Sequence, residues 1–215
     1  MRKVLMAVAC AMSMTMFADI TTLTSTENIP QWFKLTSEIW ADSNGDKHAW
    51  SDYNDGSTIA YLKHYGASGS SSNCSEEFNV YGLLVEITKS TWSLWQQYTK
   101  PFTIGAGGVE VKAGNFFIAY NSANNYSVVR LTANQTWTGS GASNVAMSFN
   151  IGCTDGDKPR AKVIAEAGVT SLDINGGLNA VLYSPNNELE NVDVTVSDSA
   201  KLWLVDIMDA RLNAK

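Results

Sequence analysis

Phe78-Asn79-Val80-Tyr81-Gly82-Leu83-Leu84-Val85-Glu86-Ile87 is the stretch on which the fold class turns. It is long and apolar and reads as a central strand. Shorter period-two segments surround it. In residues 32–40, Phe33, Leu35 and Ile39 fall on one side, and Lys34, Thr36 and Glu38 on the other. Residues 58–65, 109–112, 116–121, 126–132 and 145–151 follow the same pattern. Turn compositions separate them: Ser43-Asn44-Gly45, Asn54-Asp55-Gly56, residues 66–73, residues 105–108, residues 121–125 and residues 139–143. No window carries a capped 3.6-residue apolar stripe. Regular short strands without helices predict an all-β protein, a two-sheet antiparallel sandwich of jelly-roll type. In Val111-Lys112-Ala113-Gly114-Asn115-Phe116-Phe117, the glycine is placed to supply a positive φ between two strands.

The start of the chain has the layout of a secretory signal peptide. Arg2 and Lys3 precede an apolar run over residues 4–12, and Met16-Phe17-Ala18 offers a small-residue cleavage site. The run is too short to span a bilayer, which takes roughly 20 residues. Residues 1–18 are therefore expected to leave, giving a product exported through the periplasm and secreted or held at the cell surface. Without them the chain has 13 basic and 21 acidic residues, a formal charge of −8. That surface speaks against nucleic acid and anionic membrane as partners.

Cys10 departs with the leader, and Cys74 and Cys153 remain. An even pair in an exported chain predicts one disulfide. Neither cysteine lies in a zinc-spaced motif. The β-sandwich is expected over residues 19–160, and a small C-terminal β segment over residues 161–215.

That last segment holds Leu182-Tyr183-Ser184-Pro185-Asn186-Asn187, then the alternating Val192-Asp193-Val194-Thr195-Val196, then Lys201-Leu202-Trp203-Leu204-Val205-Asp206-Ile207-Met208-Asp209-Ala210-Arg211-Leu212. The order resembles the C-terminal sorting domain of the type IX secretion system of Bacteroidetes. Tyr183, Pro185 and Asn186 match its turn element, with Ser184 inserted. Val205-Asp206-Ile207-Met208 and Arg211-Leu212 match its final strand, with Asp209-Ala210 where glycine is expected. The resemblance covers about the last 40 residues and implies a surface protein with a degenerate, truncated export tag. The hairpin-like stretch over residues 109–120 resembles the adhesin-like jelly-roll modules that accompany such tags. That likeness is architectural and leaves the ligand open.

Seven tryptophans and eight tyrosines are many for an exported domain of this size. Exposed rings on a sheet stack against sugar faces, while neighbouring amides bind hydroxyls. Trp92, Trp95 and Tyr98 form one candidate platform. On a strand, Trp92 and Tyr98 share a face and Trp95 points the other way. Tyr120, Asn121, Asn125 and Tyr126, with Asn124, form a second. Asp42, Asn44 and Asp46 place oxygens at positions one, three and five of a calcium-type loop, although Tyr53 stands where the closing glutamate belongs. A structural calcium is the one cofactor this pattern suggests. His48 and His64 are the only histidines, and no HExxH, GxSxG or phosphate loop is present. His64 alternates onto the side of Ala60 and Leu62, as a packed histidine would. Glu38, Glu76, Glu77, Glu86 and Glu110 are the carboxylates from which a glycosidase pair could be drawn.

The leading expectation is a non-catalytic carbohydrate-binding or adhesin-like module that takes a glycan or cell-surface polysaccharide. A surface-fibre or sheath subunit is a second. It would self-associate by adding residues 19–29 to a neighbour's sheet edge. A small jelly-roll glycoside hydrolase or lyase is the third.

Overall fold

The computed structural model describes residues 20–25, 34–64, 70–97, 99–119, 127–142, 145–151, 161–184, 188–205 and 211–214. The strands in chain order are β1 (Thr22–Ser25), β2 (Trp40–Ala41), β3 (Lys47–His48), β4 (Ile59–His64), β5 (Ser70–Cys74), β6 (Phe78–Gln96), β7 (Phe102–Ala119) and β8 (Ser127–Leu131). They continue with β9 (Gln135–Gly139), β10 (Met147–Ile151), β11 (Ala161–Ala165), β12 (Ser171–Asn175), β13 (Asn179–Tyr183), β14 (Asp193–Val196), β15 (Lys201–Val205) and β16 (Arg211–Ala214). The only helical element among the described residues is the 3-10 turn Trp50–Tyr53. The protein is all-β, with pleated layers facing one another across a shared core.

The direction of pairing departs from the antiparallel jelly roll. Only β1·β2 and β2·β3 are antiparallel. Every other described ladder is parallel. Parallel strands normally require a long crossover between them. Here the crossover is the rest of a coil. The chain runs along one face, turns through two others, and returns beside itself one strand spacing further on.

Three ladders make three faces. Face one joins the start of β6, the start of β7, β8 and β11. Face two joins β1, β4, the middles of β6 and β7, β9, β12, β14 and β16. Face three joins β5, the ends of β6 and β7, β10, β13 and β15.

The long strands β6 and β7 pass through all three faces, bending where their register slips at Val80/Gly82, Val85/Glu86 and Glu86/Thr91. Residues 105–108, whose composition reads as a loop, therefore stay inside a strand. Gly114 does have positive φ, +84°. It makes a corner of the coil rather than a hairpin turn, because its strand pairs in parallel with β10, Met147 opposite Gly114. Strands on either side of residue 160 pair directly, β8 with β11 and β9 with β12, so residues 161–205 continue the same coil.

Alternate residues of every face point inward. Leu23, Ala60, Leu83, Val109, Trp137 and Ile174 stack in one buried column under face two. Trp92, Phe116 and Phe149 stack under face three, with centroids 5.2 and 5.8 Å apart and planes within 20°. His64 stacks on the far side of Trp92 at 5.5 Å. At the N-terminal end, Trp40 and Trp50 pack 4.7 Å apart, and Trp50 meets Phe78 edge-on at 4.9 Å. The antiparallel β2–β3 hairpin thus seats two indoles over the first coil.

Ala60, Leu62 and His64 are all buried, as the alternation predicts. Burial holds the His64 imidazole below its ordinary pKa of 6.5. The unfolded chain therefore takes up a proton first on acidification. Stability contributed by neutral His64 is complete above about pH 6.5 and is lost as pH falls toward the lower folded value. Urea denaturation between pH 7 and 5 should show stability falling by at most about 1.4 kcal/mol per pH unit. In His64→Phe that part of the slope should vanish; an equal slope in both proteins would assign it elsewhere.

Candidate functional site

Among the described residues, the outward side of face three carries aromatic and amide side chains in register. Three columns run along the coil axis. Trp95 lies opposite Asn73 and Ala119. Ser93, Phe117, Asn150, Val181 and Trp203 follow one another in register. Thr91, Asn115, Ser148, Asn179 and Lys201 make the third column. Trp95 and Phe117 are half-buried, and Trp203 is 51% exposed. The alternation that buries Leu94, Phe116, Ile118 and Ala180 is what turns these rings outward. Asn179 donates from Nδ2 to the Met147 carbonyl at 3.3 Å, which fixes one amide of the surface.

The sequence platform is thereby split. Trp95 is on the surface, as its opposite phase to Trp92 requires. Trp92 is fully buried between His64 and Phe116, so it is a core ring and no ligand contact. Tyr98, Tyr120, Asn121, Asn125 and Tyr126 lie outside the described residues. Phe117 and Trp203 were not singled out by the sequence reading. Trp203 had a signal: it alternates with Leu202 and Leu204, so one phase of β15 had to be solvent-facing.

The calcium-type loop is closed on itself. Asp42 Oδ1 accepts from the backbone N–H of Asn44 at 2.8 Å and of Asp46 at 3.0 Å, and Gly45 sits at φ +88°. Asp42 Oδ2 lies 3.2 Å from His48 Nε2, and the Tyr53 hydroxyl lies 3.4 Å from His48 Nδ1. Burial pushes the Asp42 carboxyl upward. The bonds from His48 and the two amides outweigh it and hold the group below its usual range. Both oxygens of Asp42 thus serve the turn, and no group of three or more metal-ligating acidic, His or Cys side chains occurs among the described residues.

The expected bridge from Cys74 is absent: Cys74 is a free, buried thiol. Cys153 lies outside the described residues. Burial pushes the Cys74 thiol up to about 11, while a bond to the Glu76 carbonyl at 3.6 Å pulls weakly the other way. Peptide mapping after alkylation at pH 8 should find Cys74 unmodified in native protein and fully modified in urea. A Cys74–Cys153 disulfide peptide under non-reducing conditions would overturn the free-thiol assignment.

Of the five carboxylates of the third expectation, Glu86 and Glu110 sit on face two, whereas Glu38, Glu76 and Glu77 lie outside the strands. Glu86 accepts from the Tyr61 hydroxyl, and Glu110 accepts from Ser140. Lys63 and Lys112 place their ammonium groups 4.6 and 5.0 Å from the Tyr61 ring. This is a compensated network on an open sheet face. Residues 22–25 of the segment offered for strand addition form β1, which is paired on both edges, with β2 and β4.

No helix among the described residues is long and apolar enough to cross a membrane. No protein-family model, curated protein or solved structure matches this chain.

Proposed function

We propose that the protein is a non-catalytic glycan-binding module of the cell exterior, using the outer side of face three. The observation that carries the reading is Trp203, 51% exposed on the column that also holds Phe117, beside the column of Trp95. Aromatic faces offer apolar area to the C–H side of a sugar ring at little entropic cost. The asparagines and serines between them offer both donors and acceptors to hydroxyls. A rigid parallel sheet holds these groups at fixed spacing, so little ordering accompanies binding. The leader-like residues 1–18 support export, and the C-terminal resemblance supports a place on the surface of a bacterium with type IX secretion.

Retention of the protein without residues 1–18 on insoluble polysaccharides, together with a glycan array, tests the proposal. Trp95→Ala should weaken retention about tenfold, the usual order for truncating a central aromatic contact. It should change stability by less than about 1 kcal/mol, since the side chain is only half-buried. No retention on any glycan, or equal retention of Trp95→Ala, would sink the reading.

A further inference from the structure

We infer that face three takes a linear, uncharged polysaccharide laid along the coil axis, across the strands, with Trp95, Phe117 and Trp203 beneath its rings. This rests on the glycan-binding reading above and narrows it to a ligand class and a direction.

The direction follows from register. Each of the three rungs concerned contributes one outward ring: Trp95 from β6, Phe117 from β7 and Trp203 from β15. A ligand lying along any single strand would meet one ring. A ligand lying across the strands meets all three. Phe117 and Trp203 share a column and are three strand spacings apart, roughly 14 Å. Trp95 stands one spacing before Phe117 and two residues to the side, roughly 7 Å. The rings therefore span about four spacings, roughly 19 Å, which no mono- or disaccharide can bridge. Between Phe117 and Trp203 the same column holds the half-buried Val181 and the buried Asn150, and the half-buried Ser148 and Asn179 flank them as the accessible polar groups.

The ligand class follows from charge. Among the described outward residues of face three, Lys201 is the only ionised side chain. Polyuronates and sulfated chains need paired cations, and this face has none. The contrast with face two is internal to the molecule, since Lys63, Lys112, Glu86 and Glu110 all lie there. A neutral chain can use rings, amides and hydroxyls without leaving a charge unpaired.

Calorimetric titration of the protein without residues 1–18 with neutral gluco- and manno-oligosaccharides, from mono- to hexasaccharide, tests the inference, with polygalacturonate as the charged comparator. Affinity should rise at least about tenfold from di- to hexasaccharide in the series that binds. Trp203→Ala should remove about tenfold from hexasaccharide affinity. Disaccharide binding as tight as hexasaccharide would overturn the axial placement and leave the glycan reading standing. Preference for polygalacturonate would overturn the uncharged class alone. Failure of every glycan on the array would remove both proposals.

Discussion

Gly108→Ala should destabilise the fold by about 3–5 kcal/mol, far more than a surface glycine can account for. Gly108 stands where β7 bends from face one to face two, at φ +61°. A non-glycine residue in the left-handed region costs roughly 1–2 kcal/mol by itself. The larger part comes from the neighbouring coil. A Cβ at Gly108 would sit 2.1 Å from the Thr136 carbonyl oxygen, a backbone atom that cannot turn away. Relief requires the coils to part, and parting them breaks the ladder that pairs Val109 with Trp137. Gly45→Ala is the matched control. Its φ is +88°, yet nothing lies within 4 Å of the added Cβ, so only the backbone strain should appear, about 1–2 kcal/mol. Urea midpoints for the two variants check this. If Gly108→Ala costs no more than Gly45→Ala, the coils do not meet at that corner as described.

The same corner explains what the sequence could and could not disclose. Period-two alternation marks a strand with one buried side, and it is indifferent to whether the neighbour runs parallel or antiparallel. Phe78–Ile87 was legible as a central strand, and His64 as a packed residue, for that reason. Turn residues were legible too, but a hairpin and a coil corner ask for the same glycines, so residues 105–108 and Gly114 suggested reversals where the chain only bends. A fixed repeat would have exposed the coil. Successive returns to the same register position of face two instead differ widely, between 18 and 37 residues from Ala60 through Val196 to Ala214. The faces stay in register while the connections vary.

The binding surface was half-legible on the same grounds. The opposite phases of Trp92 and Trp95 could be read, and which phase faces water could not, because both flanks of residues 91–97 mix polar and apolar side chains. Stacking decides it. Trp92 stacks on Phe116, and Phe116 on Phe149, only once three rungs lie side by side, contacts between residues far apart in sequence.

Trp92→Ala should cost about 3–5 kcal/mol, the range for deleting a fully buried large aromatic side chain. The indole is the second member of a four-ring stack, 5.5 Å from His64 and 5.2 Å from Phe116, so its loss leaves a cavity bounded by rings that are tied to separate coils and cannot close it. Trp92→Phe should behave differently. It keeps a ring in the stack, and it removes an Nε1–H that has no acceptor among the described residues. The lost area and the relieved unpaired donor oppose each other, leaving a net cost below about 1.5 kcal/mol. Thermal and urea unfolding of the two variants separate the cases. Glycan retention adds an independent readout: Trp92→Phe, folded and internal, should bind as wild type does, whereas Trp95→Ala, equally folded, should not. Loss of binding in Trp92→Phe with unchanged stability would place Trp92 at the surface and overturn the inward phase of face three.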